Sequence, residues 1–182
     1  MHKSALPICW MMLALAAPPA LADPVADCNQ FADPQRQIKG CTSFIRRGGL
    51  DIDALASAYI NRGIAHGSTG KIAAAIADFT EAIRLDPKNA LAYYNRGNAN
   101  FDLKKLDAAA ADYDAAVGSD PAFALAFFNR GLVHERRGNR DAAVADYARA
   151  LTLDPELSTA REKLEKLGVK PSVETASRPP AG

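Results

Sequence analysis

"ALAYYNRGNANFDLKKLDAAAADYDAAVGSDPAF", residues 90–123, decides how the chain is read. Its triplet Asn95-Arg96-Gly97 returns as Asn61-Arg62-Gly63 and Asn129-Arg130-Gly131, each copy 34 residues from the next. Asp86-Pro87, Asp120-Pro121 and Asp154-Pro155 recur with that spacing, as do Asp78-Phe79, Asp112-Tyr113 and Asp146-Tyr147. A fixed period of this length marks an array of stacked supersecondary units. Within each unit, two stretches of helical period flank a turn such as Ser68-Thr69-Gly70 or Arg137-Gly138-Asn139. Proline then closes the unit, because it offers no amide to a growing helix and turns the preceding residue away from the α conformation.

The pattern resembles the tetratricopeptide repeat. An aromatic is followed by glycine four on, in Tyr59/Gly63, Tyr93/Gly97 and Phe127/Gly131. Ala75, Ala109 and Ala143 supply the next small slot. Phe79, Tyr113 and Tyr147 supply a second aromatic, and Ala82, Ala116 and Ala150 precede the proline. The resemblance implies an all-α, right-handed superhelical solenoid of antiparallel helix pairs, with repeats at 56–89, 90–123 and 124–157 and a capping helix at 158–168. Three departures stand out. Arg62, Arg96 and Arg130 replace a leucine, and His66, Asn100 and His134 replace a tyrosine. Lys104 stands where the other turns carry Gly70 and Gly138, which predicts strain there. The recurrence of the arginines with Asp78, Asp112 and Asp146 predicts structural ion pairs.

Outside the repeats, Met1-His2-Lys3, the apolar run 5–17 and Ala20-Leu21-Ala22 have the layout of a signal peptide cleaved after Ala22. Export to the periplasm or beyond follows, with no membrane insertion after cleavage. Without Lys3, Lys+Arg falls from 22 to 21 against 21 acidic residues. A net charge of zero argues against nucleic acid as partner. Cys28 and Cys41 then form an even pair in an oxidising compartment, expected as a disulfide; the alternative is two unpaired buried thiols. "QIKGCTSFIRR" (37–47) is similar to "AIADFTEAIRL" (75–85), so residues 23–55 read as a divergent leading hairpin. Leu157, Ala160, Leu164 and Leu167 share one face of the capping helix, ended by Gly168. Residues 169–182 read as a disordered tail.

Catalytic and metal chemistry find no support. His66 and His134 are two repeats apart, too far to share a metal. Asp112/Asp114 and Asp51/Asp53 read as solvated surface rather than acid–base pairs. There is no phosphate loop, nucleophile elbow or HExxH, and no cofactor is implied. The expected function is therefore non-catalytic binding of another protein. By resemblance, the first helices of successive repeats line a concave groove for a peptide or helix. Candidate groove residues are Ile60, Asn61 and Ile64; Leu91, Tyr94, Asn95, Asn98 and Phe101; and Leu125, Phe128, Asn129 and Leu132. Neighbouring repeats could equally consume this stripe as core. The related clamp for chaperone C-terminal carboxylates uses cations in slots held here by Ile60, Leu125 and Asn129, so that specificity is not expected. Self-association as a scaffold is the alternative function, and an enzyme with an unrecognised site the weaker one.

Overall fold

The computed structural model of the protein describes residues 23–48 and 51–170. The signal peptide and most of the C-terminal tail expected from sequence lie outside those residues. The helices run α1 (Pro24–Asn29), α2 (Pro34–Arg47), α3 (Ile52–Ser68), α4 (Ile72–Leu85), α5 (Ala90–Asp102), α6 (Leu106–Ser119), α7 (Ala124–Arg136), α8 (Arg140–Leu153) and α9 (Ser158–Lys166). No strand occurs among the described residues. Each helix packs on the next, and the odd-numbered helices α1, α3, α5 and α7 also touch in succession. The first helices thus form one layer of the solenoid and the second helices the other. α3 starts at Ile52, ahead of Ala56, where the repeat pattern begins.

Local chemistry sets these boundaries. Asp23 and Asp33 cap α1 and α2, and each precedes a proline at the first helical position. Between repeats, the Asp-Pro pair works as a unit. Proline stops the helix, and the aspartate Oδ1 accepts the amide two residues on, from Lys88, Ala122 and Glu156 at 3.0, 2.9 and 3.1 Å. Inside each repeat the turn needs a left-handed residue. Gly70 and Gly138 adopt φ of 75° and 78°, and Lys104 is forced to 60° in the same place.

The packing contact repeats with the period. A Cβ on Gly63, Gly97 or Gly131 would lie 2.5–2.7 Å from the ring of Phe79, Tyr113 or Tyr147. Only hydrogen at that position lets the two helices of a repeat close over the aromatic ring. Beside this contact, Ala75, Ala82, Ala109, Ala116, Ala143 and Ala150 are buried. In the leading hairpin the arrangement is inverted. Gly40 sits on the second helix against Asp27, and Cys28 and Cys41, with Cα atoms 4.4 Å apart, are buried between the two helices. At the other end α9 covers α8 with Ala160 and Leu164 and leaves its charged face to water.

Candidate groove of the first helices

The motif Tyr-x-Asn-Arg-Gly divides its side chains between two faces. Arg62 grips Asp78 with Nε and Nη2 at 2.9 and 2.7 Å, and Arg130 grips Asp146 with the same two distances. Arg96 does the same with Asp112, Nη2 donating at 2.7 Å. Tyr59, Tyr93 and Phe127 lie beneath these guanidinium groups at 5.4, 5.7 and 5.3 Å. The remaining nitrogen reaches into the preceding hairpin: Arg62 Nη1 donates to Thr42, Arg96 Nη1 to Thr80 and Arg130 Nη1 to Asp114. Each arginine therefore ties both helices of its own repeat to the repeat before it. Its hydrogen bonds to Asp78 hold the Arg62 pKa above the ordinary value, and those to Asp146 do the same for Arg130.

This ladder revises the reading of Asp112 and Asp114. Asp112 is buried and serves Arg96, whereas Asp114 is exposed and serves Arg130. The residues beside the carboxylates complete the pattern. Asn100 Nδ2 donates to Asp112 at 2.9 Å, and His66 and His134 place Nε2 3.8 and 3.7 Å from Asp78 and Asp146. Their Nδ1 atoms are buried without a partner. Burial lowers the His66 pKa against the opposing pull of Asp78. No group of three His, Cys, Asp or Glu side chains placed to hold a metal occurs among the described residues.

On the other side lies the stripe proposed as a groove, and it divides. Ile60 is 5% exposed and packs with Ala82 and Ala92, so it belongs to the core and cannot meet a ligand. Ile64 leans on the same cluster. Tyr94 rests on Phe123 and Tyr113, with ring centroids 4.8 and 6.2 Å away, and Phe128 rests on Tyr147 at 5.5 Å. Both rings are half-buried. Leu91 and Leu125 stand out at 46% and 43% exposure. Phe101 and Leu132 are half-buried.

The asparagines hold this face together rather than project freely. Asn129 Nδ2 donates to Asn98 Oδ1 at 2.8 Å and to the Tyr94 hydroxyl at 3.3 Å. The Tyr113 hydroxyl also donates to Asn98, and burial pushes its pKa well above the usual phenol range. Asn61 donates to Asn29 of α1, while Asn95 bonds the Leu91 carbonyl of its own helix. Toward the C-terminal end, sequence reading missed a charged cluster. Glu135 accepts from Lys163 at 2.8 Å and from the Tyr147 hydroxyl at 2.6 Å, which together lower its pKa. Arg136 lies over the Phe101 ring at 4.6 Å.

These features agree with comparison to known proteins. The tetratricopeptide repeat family matches residues 60–122 and 105–158, together more than half of the chain. The chain belongs to that family. The second domain of human RPAP3, solved in complex with the HSP70 peptide SGPTIEEVD, is 30% identical, with a TM-score of 0.58 over 62% of this chain and 93% of that one. The Arabidopsis OM64 TPR domain is 28% identical, with a TM-score of 0.63 over 65% of this chain and 98% of that domain. MamA from Desulfovibrio magneticus RS-1 shares the fold at 22% identity, with a TM-score of 0.69 over 79% of each chain. No curated protein matches the sequence.

Proposed function

We propose that this protein is a non-catalytic interaction module of the cell envelope, which holds a peptide or helix of a partner protein against the first helices of its repeats. The observation that carries this reading is the face of α5 and α7. There Leu91 and Leu125 stay exposed beside an ordered lattice of amides and hydroxyls. Apolar surface with a few fixed polar groups suits a protein segment. A related domain at 30% identity holds a peptide of another protein, which supports the same use here. Export rests on the N-terminal sequence, and in an oxidising compartment Cys28 and Cys41 are held as a disulfide. The buried carboxylates are all engaged by arginine, asparagine or histidine, which suits structure rather than acid–base work.

The test is capture from an envelope extract with residues 23–182 as bait. Leu91→Ser plus Leu125→Ser should abolish capture and leave the melting temperature nearly unchanged, since both side chains are exposed. Equal capture by both proteins would overturn the groove assignment. Tyr94 and Phe128 are poorer probes, because each also packs on an aromatic ring of its own repeat.

A second reading is self-association, favoured by the N-terminal end. Val25, Phe31 and Ile52 are exposed there, near a cavity of about 320 Å³ lined by Val25, Phe44 and Ala58. Light scattering on the purified protein tests it; a strict monomer at high concentration excludes it.

A further inference from the structure

All of the candidate groove residues are uncharged. Fixed charges adjoin them at the end formed by α5, α7 and α9. There Phe101, Leu132, Glu135, Arg136 and Lys163 line a cavity of about 260 Å³. Phe101 and Leu132 supply its apolar lining, Arg136 and Lys163 two cations, and Glu135 a carboxylate. Lys163 is engaged by Glu135. Arg136 is exposed, and among the described residues no carboxylate forms an ion pair with it. Its guanidinium is held over the Phe101 ring at 4.6 Å, and among the described residues its N–H groups donate to no side chain. A guanidinium fixed in this way loses little freedom when it takes up a carboxylate in two-pronged fashion.

Resting on the groove reading above, we infer that this end of the groove selects a partner segment in which an acidic side chain adjoins a large apolar one. The apolar side chain enters the cavity over Phe101 and Leu132, and the acidic one pairs with Arg136. Charge complementarity argues for this occupant: with Glu135 already engaged by Lys163, a basic side chain would meet the unpaired Arg136, and a neutral one would leave the guanidinium without a partner. The site differs from a terminal-carboxylate clamp, since its cations lie on the last turn of α7 and on α9. An internal Asp or Glu suffices.

Selection from a displayed random-peptide library tests this, with residues 23–182 as target and both peptide ends blocked in the follow-up titrations. The wild-type protein should enrich peptides carrying Asp or Glu next to Leu, Ile or Phe. Arg136→Ala should weaken the selected peptides by about fivefold, the scale of one partly exposed ion pair. Arg136→Glu should shift the selection toward Lys or Arg. Enrichment of apolar peptides without an acidic preference, unchanged by either substitution, would overturn this inference and leave the groove reading standing. Failure to enrich any peptide, with helicity intact, would overturn both.

Discussion

At the scale of the residue, the clearest local conflict is Lys104. Its φ of 60° is the left-handed conformation that Gly70 and Gly138 adopt in the equivalent turns. An L side chain pays roughly 1–2 kcal/mol there, partly offset because glycine loses more freedom on folding. Lys104→Gly should therefore raise stability by about 1 kcal/mol, seen as a melting temperature a few degrees higher. Gly97→Ala should act in the opposite sense. Its Cβ would lie 2.7 Å from the Tyr113 ring, and overpacking of this kind costs about 1–3 kcal/mol in chemical denaturation. The positive φ and the close approach were both legible in sequence, because glycine and aromatic slots repeat with the period. The burial of Ile60 was not. Spacing along one helix places a side chain on a face, but only the neighbouring helices determine whether that face is covered. For Ile60 the cover comes from Ala82 and Ala92, more than 20 residues away.

Titration adds a prediction at the same scale. His66 has a pKa lowered by burial, so the unfolded chain binds its proton more readily than the fold does. Stability from this group is full above the ordinary histidine value of about 6.5 and is lost as pH falls toward the lower folded value. Urea midpoints should therefore fall between pH ~7.5 and ~5.5 by less in His66→Asn, which copies Asn100 of the next repeat, than in the natural protein. An equal fall in the two would show that His66 is not involved.

At the scale of the element, the arginine ladder couples each repeat to its predecessor. Asp112 is buried, and Arg96 reaches it from α5 while touching Thr80 of α4. Removing Arg96 strands a buried carboxylate. Arg96→Ala should cost about 3 kcal/mol, and the cycle with Asp112→Asn should show a coupling of about 1–3 kcal/mol by denaturant titration. The pairing was legible because Arg and Asp recur in step. The burial was missed because Asp112 and Asp114 look alike two positions apart, and the helix sends one inward and the other to water. In the leading hairpin Cys28 and Cys41, proposed above as a disulfide, lie buried beside the contact of Gly40 with Asp27. Replacing both cysteines by serine should cost about 3 kcal/mol in the chain-entropy account and loosen α1 first, visible as faster amide exchange at residues 24–29.

At the scale of the whole molecule, a solenoid with no long-range closure derives its stability from neighbour contacts, so its ends need separate solutions. α9 supplies one by docking an apolar face on α8. That docking also brings Lys163 to Glu135, 28 residues away in sequence, beside Arg136. No local pattern announces such a cluster, since charged residues at a helix end read as solvated until the next helix arrives. The apolar and amide-rich face of α5 and α7 follows from repetition itself. Each repeat sets its first helix against that of the repeat before it, and the residues spared by packing share one surface. That surface is the proposed seat of the partner segment. It is tested most directly by nuclear magnetic resonance of the labelled protein titrated with the captured partner. The Leu91 and Leu125 methyl groups and the Asn95 side-chain amide should shift together, while signals of Ala77 and Ala111 on the second helices stay still. Shifts confined to the second helices, or none at saturating partner, would contradict it.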